Sequence, residues 1–258
     1  MKNQFYSPGE LRAAQVQKLF ATIARRYDLL NDVMSMGLHR HWKCRLVKMA
    51  DTGNATSYGT ESGNAADMKQ VLDLCCGTGD IALRFYGNVV GLDFSAEMLR
   101  CATVRAGGLA RVSPSRRMPT WIQADALRLP FPENSFDVVS LGYGLRNLAD
   151  LPMGIREIWR VLRPGGKLLS LDFGKPECKM WRRMYFAHLR FWVPLLGRVL
   201  VGQQAAYAYI LTSLENYPAQ RGVQQLMEEC GFEKCGFEEF CGGAMAINFG
   251  QKPLSSRI

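Results

Sequence analysis

A glycine turn after an apolar stretch is the part of this sequence best suited to bind a ligand. Residues 71–76 are typical of a buried strand, and Gly77-Thr78-Gly79 follows at the start of a predicted helix. Glycine lets a ligand approach the backbone closely. The next apolar stretch, residues 89–93, ends at Asp93, whose carboxylate could accept hydrogen bonds from two ribose hydroxyls. The pattern therefore predicts a site for a ligand that carries a nucleoside.

The turn does not follow the pattern of a dinucleotide site. Such a site carries G-x-G-x-x-G, so that the pyrophosphate lies at the helix N-terminus. Here Gly79 is followed by Asp80, Ile81 and Ala82, with no third glycine. Asp80 would also place a negative charge where the phosphates belong. A cationic ligand without phosphate fits better, and the residues favour the sulfonium of S-adenosylmethionine.

Two further predicted strand ends carry residues that could complete this site. Asp125-Ala126 follows the third strand, and its carboxylate could accept a hydrogen bond from an adenine amino group. Gly142-Tyr143-Gly144-Leu145-Arg146-Asn147 follows the fourth. Because the carboxyl ends of neighbouring parallel strands share one edge of a sheet, we expect these segments to lie side by side.

The elements that position these residues alternate along the chain. The predicted strands are residues 71–76, 89–93, 120–123, 136–141 and 167–173. The predicted helices between them are residues 80–86, 96–104 and 151–162. This alternation indicates a parallel sheet covered on both faces. We also expect a basic loop at 107–119, a turn at 164–166, and an antiparallel pair at 237–241 and 244–249 that closes the sheet.

Three regions are expected along the 258 residues. Residues 1–50 carry apolar side chains at helical spacing and are predicted to form a helical cover. Residues 51–68, rich in Gly, Ser, Thr and Asn, are predicted to form a flexible linker. Residues 69–258 are predicted to form the catalytic α/β domain, with lid helices at about 176–215.

Composition narrows the class of protein. The net charge of +9 suggests contact with anionic lipid or nucleic acid, or a solvated basic face. The eight cysteines form no C-x-x-C pair, which predicts reduced thiols in a reducing compartment and no metal site. The longest apolar stretch, 191–201, contains Pro194 and Arg198 and is too short to span a membrane.

The fourth strand end bears on the class of methyl acceptor. Methylation of an exocyclic amine usually needs an (Asp/Asn)-Pro-Pro-aromatic loop there, and carbon methylation of cytosine needs a Pro-Cys nucleophile. This chain has neither. Arg146 and Asn147 could instead bind oxygens on a ring substrate. The alternative is a salt bridge plus a helix cap, since Asn147 precedes a predicted helix.

The sequence resembles the ubiquinone/menaquinone biosynthesis C-methyltransferase family. The matching blocks are residues 27–32, 35–43, 71–80, 142–147 and 156–166, together with Tyr207-Ala208-Tyr209 and Ser213. The glycine turn and block 142–147 are most similar to the same segments in one branch of the family. Its members methylate demethylphylloquinone or demethylmenaquinone. The chain departs from the family in the inserted residues 51–67, in a shortened stretch between Ala82 and Val89, and in Cys75, where the wider methyltransferase pattern has glycine.

The resemblance implies a Rossmann-like class I S-adenosylmethionine-dependent methyltransferase fold, with a helical N-terminal cover and a helical lid inserted before the last strands. The residues that it implies for binding or shaping the cofactor site are Asp73, Gly77, Thr78, Gly79, Asp93, Asp125, Ala126 and Gly142. It also implies that Arg146 and Asn147 face a quinol. Three groups remain open as the acceptor of the quinol hydroxyl proton: Asp28, His39 and a water molecule held by Asn147.

The implied reaction is C-methylation of a prenylated quinol ring in quinone biosynthesis. A demethylnaphthoquinol is favoured, with a benzoquinol as the alternative. A nucleic-acid methyltransferase and a non-catalytic subunit are more distant alternatives, and no nucleic-acid partner is expected.

One helical stripe could form a lid over a lipid-tailed substrate, lie on a membrane surface, or make a homodimer contact. It comprises Trp181, Met184, Tyr185, His188 and Trp192. The expected location is a cytoplasmic or plastid-stroma-like reducing compartment, at the membrane surface.

Overall fold

The computed structural model describes residues 31–32, 35–51, 68–200, 211 and 213–254 of the chain. Several sequence predictions fall elsewhere. The first part of the predicted helical cover, including Asp28, lies outside the described residues, as do nearly all of the predicted linker and residues 201–210 of the predicted lid.

A seven-stranded sheet forms the centre of the described chain. Its strands are β1 (Gln70–Leu74), β2 (Asn88–Asp93), β3 (Thr120–Gln123), β4 (Phe136–Gly142), β5 (Leu162–Phe173), β6 (Glu233–Phe240) and β7 (Met245–Gln251). The spatial order is β3-β2-β1-β4-β5-β7-β6. Strands β1 to β5 pair in parallel, and β7 pairs antiparallel with both β5 and β6. The predicted parallel sheet and its closing antiparallel pair are therefore confirmed.

Strand β1 lies where the strand order reverses, between β2 and β4. Val71, Leu72 and Leu74 are fully buried, because β1 is covered on both faces. Open α/β sheets bind ligands outside the carboxyl ends of the strands at such a reversal. The glycine turn after β1 therefore occupies the expected ligand position.

Helices flank the sheet, and five of them have bounds that lie wholly within the described residues. They are α1 (Leu38–Asp51), α2 (Ala96–Val112), α3 (Leu151–Val161), α4 (Lys179–Leu200) and α5 (Ala219–Glu229). Helices α2 and α3 begin at Ser95 and Asp150, whose side chains accept hydrogen bonds from backbone N–H groups of the first turn. No described helix is both long enough and apolar enough to cross a membrane.

Helix α1 packs on one face of the sheet. Trp42, Leu46 and Ala50 recur every four residues and are all buried. They form one apolar cluster with side chains from the central strands, including Val71, Val138, Leu169 and Ile247. The described part of the N-terminal region is therefore a helix docked against the sheet.

The predicted helix at 80–86 is wrong. Only a single 3₁₀ turn forms there, at Ala82–Arg84. The chain must return to β2 at Asn88, which leaves too few residues for an α-helix of ordinary length. Hydrogen bonds from outside the segment hold the short turn, because the guanidinium of Arg116 donates to the carbonyl oxygens of Leu83 and Phe85.

The predicted basic loop at 107–119 is wrong in its first half, since α2 continues to Val112. A Cβ atom built on Gly107 or Gly108 would meet no other atom within 4 Å. These glycines therefore lie on the open side of the helix, where they lower helix propensity without disturbing packing. The loop itself is confined to residues 113–119.

The predicted turn at 164–166 lies inside a strand. Strand β5 begins at Leu162, directly after α3. Leu162 pairs with Phe136 and Lys167 with Val138, so the intervening residues bulge out of the ladder. Gly165, at φ +80°, supplies the backbone conformation that the bulge requires.

Candidate active site

Strand β1 ends two residues earlier than the sequence predicts, and the turn begins directly after it. The strand ends at Leu74, and Cys75 already has a positive φ of 55°. Gly77 and Gly79 follow at φ +53° and +78°. A Cβ on Gly79 would lie 2.6 Å from Trp121 Cη2, whereas one on Gly77 would meet nothing within 4 Å. Gly79 therefore permits packing, and Gly77 leaves backbone open to a ligand.

Two buried carboxylates hold this turn in place. Asp73 accepts hydrogen bonds from Ser140 Oγ at 2.8 Å and from the backbone N–H of Ala82 at 2.9 Å. Asp93 accepts from the N–H of Gly77 at 2.8 Å and from that of Ser95 at 2.9 Å. Burial raises the pKa of Asp93 above its ordinary value. The tips of β1, β2 and β4 are thus tied together through backbone and side-chain oxygens.

Asp125 lies beyond the tip of β3 and is exposed. Its Oδ1 accepts a hydrogen bond from the N–H of Leu127 at 2.9 Å. The neighbouring Ala126 is buried. Since β3 is adjacent to β2, Asp125 and Asp93 lie along the same edge of the sheet, in the order that the sequence predicts.

A polar pocket opens at the glycine turn, and we call it the turn pocket. It is lined by Lys43, Asp73, Cys75, Cys76, Gly77, Thr78, Asp80, Ile81, Gly142 and Tyr143. Four of the predicted cofactor residues meet here, namely Asp73, Gly77, Thr78 and Gly142. The other four do not contribute to its lining: Gly79, Asp93, Asp125 and Ala126. Its volume of about 30 Å³ admits one or two groups of the size of a water molecule.

Asp80 is not the isolated negative charge that the sequence analysis assumed. Its carboxylate lies 2.8 Å from Lys43 Nζ and 3.1 Å from Arg84 Nη2. Burial opposes ionisation of this carboxyl, but the charges of Lys43, Arg84 and Arg105 outweigh it and hold the pKa of Asp80 below its ordinary value. The charge of Asp80 alone therefore does not exclude a phosphate group from this turn.

Lys43 was missed by the sequence analysis as a site residue. It is 3% exposed and reaches the turn pocket from α1. A signal was present, because Lys43 is four residues after His39 and three before Leu46, both of which are buried on the same helix. A charged residue in the buried stripe of an amphipathic helix points to a buried partner.

A larger apolar cavity adjoins the turn pocket. It has a volume of about 430 Å³ and lies between α1, α4 and the tips of β4, β5 and β7. The residues that line it are Asn31, Ser35, Met36, Leu38, Trp42, Tyr143, Phe173, Trp181, Met184, Tyr185, His188, Leu189, Cys241, Ala244 and Met245. All described side chains of the predicted α4 stripe face this cavity. The side chain of Trp192 lies outside the described residues.

Tyr143 lines both the turn pocket and the apolar cavity. It is 7% exposed and has a positive φ of 62°, which is unusual for a residue with a Cβ. Its N–H donates to the carbonyl of Leu171 at 2.7 Å, which fixes the backbone against β5. The two spaces therefore adjoin at Tyr143, and ligands in them would meet beside this side chain.

Arg146 lies against the aromatic residues of the cavity but does not line it. Its Nη1 donates to Oδ1 of Asp172, and both side chains are almost fully buried. Its guanidinium carbon lies 4.7 Å from the ring centre of Phe173 and 5.6 Å from that of Tyr143. Asn147 donates from Nδ2 to the carbonyl of Tyr143 at 2.8 Å. The salt-bridge alternative is thus present, whereas the cap of α3 is Asp150 and not Asn147.

The two buried or cavity-facing histidines have different surroundings. His39 Nε2 lies 2.8 Å from Asp32 Oδ1, and His39 does not line the apolar cavity. Burial lowers the pKa of His39 below its ordinary value, against the hydrogen bond with Asp32, which raises it. His188, which the sequence analysis placed only in the α4 stripe, does line the cavity. No cluster that could hold a metal ion occurs among the residues that the structure describes.

The ubiE/COQ5 methyltransferase family matches residues 9–252 of this chain. The chain belongs to this family. Among its relatives, the demethylmenaquinone methyltransferase of Desulfitobacterium hafniense is 36% identical over 251 residues, with 95% of this chain and 92% of that protein covered. The ubiquinone/menaquinone biosynthesis C-methyltransferase UbiE of Pseudomonas putida is 35% identical with the same coverage.

Solved structures of other methyltransferases share the fold. Magnesium protoporphyrin IX methyltransferase (ChlM) from Synechocystis PCC 6803, solved with bound SAH, has a TM-score of 0.62 at 15% identity, covering 93% of this chain and 99% of that one. A SAM-dependent methyltransferase from Thermotoga maritima, described as a possible histamine N-methyltransferase, has a TM-score of 0.54 at 16% identity, covering 91% and 99%. The predicted class I fold is confirmed, and this ubiE/COQ5 family member is an S-adenosylmethionine-dependent methyltransferase.

We predict that Asp73 titrates near neutral pH in this methyltransferase. Burial raises the pKa of Asp73 from 3.8 to about 7, against the hydrogen bonds from Ser140 and Ala82, which lower it. Folding therefore takes up a proton between these two values, and the free energy of unfolding contributed by Asp73 falls as pH rises from 3.8 to about 7. Carboxyl ¹³C NMR measures the midpoint directly.

The Ser140→Ala variant is the matched test of this assignment. It removes a hydrogen bond that stabilises the ionised form, so the midpoint of Asp73 should move to higher pH. A wild-type midpoint below about 5, close to that of an ordinary aspartate, would contradict the assignment.

Proposed function

We propose that this methyltransferase transfers a methyl group from S-adenosylmethionine to a ring carbon of a prenylated quinol in quinone biosynthesis. The favoured acceptor is a demethylnaphthoquinol of the demethylmenaquinone or 2-phytyl-1,4-naphthoquinone type. One observation carries the proposal: Tyr143 lines both a polar pocket at the glycine turn and an apolar cavity of about 430 Å³. The names of the relatives, which concern demethylmenaquinone and ubiquinone/menaquinone biosynthesis, agree with it.

The residues at the strand tips fit S-adenosylmethionine. The open backbone at Gly77 allows close approach, and the carboxylate of Asp93 lies at the tip of β2, where it could accept from ribose hydroxyls. Asp125 lies further along the same edge, where it could accept from the adenine amino group. Thr78 is buried at the turn and lines the turn pocket. The bound cofactor would supply a methyl group carried on a positively charged sulfur.

The apolar cavity fits an aromatic ring that carries a long apolar tail. Trp42, Tyr143 and Phe173 present aromatic rings beside the turn pocket, and flat rings stack well against such walls. Trp181 and Met184 continue the lining along α4 and would contact the first part of the tail. A benzoquinol ring is smaller and would also enter, so ring type is an alternative within the same proposal.

The tasks of the protein are to orient the quinol, exclude water and favour the ionised hydroxyl. A quinol carbon becomes a good nucleophile once an adjacent hydroxyl loses its proton to an acceptor on the protein. Transfer would break the methyl–sulfur bond and leave S-adenosylhomocysteine. The ring carbon then loses its own proton and the oxygen regains one from the acceptor, which restores the aromatic quinol. We propose that Arg146, which lies against Phe173 and Tyr143 outside the cavity lining and is paired with Asp172, favours the anionic oxygen through its charge and without direct contact.

Four groups could accept the hydroxyl proton in this mechanism. They are Asp28, His39, His188 and a water molecule held by Asn147. We propose His188, because it lines the apolar cavity, whereas His39 is turned toward Asp32.

His188→Gln should lower kcat about 100-fold or more, with the affinity for S-adenosylmethionine unchanged. His39→Gln should lower the melting temperature and have only a small effect on kcat. The reverse pattern in steady-state kinetics and thermal melts would assign the role to His39.

A comparison of acceptors tests the proposed function directly. Demethylated naphthoquinol and benzoquinol are offered separately with methyl-labelled S-adenosylmethionine, and RNA and DNA are offered in parallel. We expect label on a quinol ring carbon, with the higher kcat/KM for the naphthoquinol. A higher value for the benzoquinol would reverse the ring assignment. Label in nucleic acid, or no transfer to any acceptor, would contradict the proposal.

We further propose that α4 meets a membrane surface from which the prenylated substrate enters. Met180 is 73% exposed and Met184 57%, and the basic residues Lys179 and Arg183 are exposed beside them. Apolar side chains with neighbouring cations are typical of helices that lie in a lipid interface.

The Met180→Ser variant tests this membrane contact. It should lower the rate with a long-tailed quinol in anionic phospholipid vesicles about fivefold, because less apolar area enters the interface. The rate with a short-tailed quinol in solution should not change. Val104→Ser is the matched control, since Val104 is 77% exposed on α2. Equal losses in vesicles and in solution would argue against a membrane role.

A further inference from the structure

Lys43 carries a positive charge from α1 into the turn pocket. Its side chain is almost fully buried, and its Nζ lies 2.8 Å from Asp80 Oδ2 and 5.7 Å from the ring centre of Tyr143. Asp80 belongs to the turn after β1, 37 residues further along the chain. The ion pair therefore joins the N-terminal helix to the glycine turn inside the pocket.

This pair is costly if its only task is packing. Removing an ammonium and a carboxylate from water carries a desolvation penalty, and an apolar pair of similar volume is often at least as stable. Trp42, Leu46 and Ala50 already dock α1 by apolar burial. A charged pair that lines a pocket is better explained by a ligand that carries both signs of charge.

The size and charge of the turn pocket match the amino-acid end of a ligand and not its nucleoside. The volume of about 30 Å³ admits groups the size of a water molecule, such as an ammonium or a carboxylate. Lys43 supplies a positively charged hydrogen-bond donor there, and Asp80, which also accepts from Arg84 Nη2 at 3.1 Å, supplies a negatively charged acceptor. An ammonium has three N–H donors, and the pair with Asp80 uses one of them.

We propose that Lys43 and Asp80 bind the amino-acid end of S-adenosylmethionine, with Lys43 on the carboxylate and Asp80 on the ammonium. This inference rests on the proposed function, because it takes S-adenosylmethionine as the ligand. It adds that α1 contributes directly to the cofactor site. The N-terminal helix is then part of the binding machinery and not only a cover on the sheet.

Calorimetry with two ligands tests the proposal. S-Adenosylmethionine carries the amino-acid end, whereas 5′-methylthioadenosine carries the same nucleoside without it. Lys43→Met should weaken S-adenosylmethionine binding roughly 10- to 100-fold, as expected for the loss of a charged hydrogen bond. Binding of 5′-methylthioadenosine should stay within about threefold of wild type, because its nucleoside contacts are unchanged. Lys48→Met is the matched control on the exposed side of α1 and should leave both affinities unchanged.

Asp80→Asn is the second variant, and it decides the question if Lys43→Met does not fold. It keeps the size of the side chain and should show the same selective loss. Equal losses for both ligands, or no loss for either, would overturn the proposal and leave the pair a structural one. A wild-type protein that binds neither ligand would instead overturn the proposed function.

Discussion

The hydrogen bonds that the buried carboxylates of Asp73 and Asp93 accept from backbone N–H groups after β1 hold the candidate active site in shape. They fix the chain at Gly77 and at Ala82, at the reversal of strand order. Removing these acceptors would leave buried N–H groups without partners, which is expensive in an interior. Gly142 and Tyr143, at the neighbouring tip of β4, line the turn pocket beside this backbone.

Helix α1 connects the two spaces that lie on either side of Tyr143. Trp42 faces the apolar cavity, while the next residue, Lys43, faces the turn pocket. Consecutive residues on an α-helix point about 100° apart, so one helix can serve two adjacent sites. A shift of α1 would therefore alter the turn pocket and the apolar cavity together.

Much of this arrangement could be predicted from the sequence, because strand and helix periodicities and strand-end residues are local signals. The stripe on α4 was predicted to face a cavity or surface for the same reason, and Trp181 and Met184 line the cavity. Contacts between distant segments could not be predicted. The pairing of Asp80 with Lys43 depends on how α1 docks, and the short 3₁₀ turn at Ala82–Arg84 depends on Arg116 from a later loop.

The central claim is that a methyl donor and a quinol ring meet beside Tyr143, where the turn pocket adjoins the apolar cavity. A crystal structure of the protein with S-adenosylhomocysteine and a naphthoquinol analogue tests it most directly. The account predicts the cofactor at the glycine turn and the quinol ring against Tyr143 and Phe173, on the side of α4. A ring bound instead in the groove by Arg45 and Phe249, on the surface of the sheet, would contradict it.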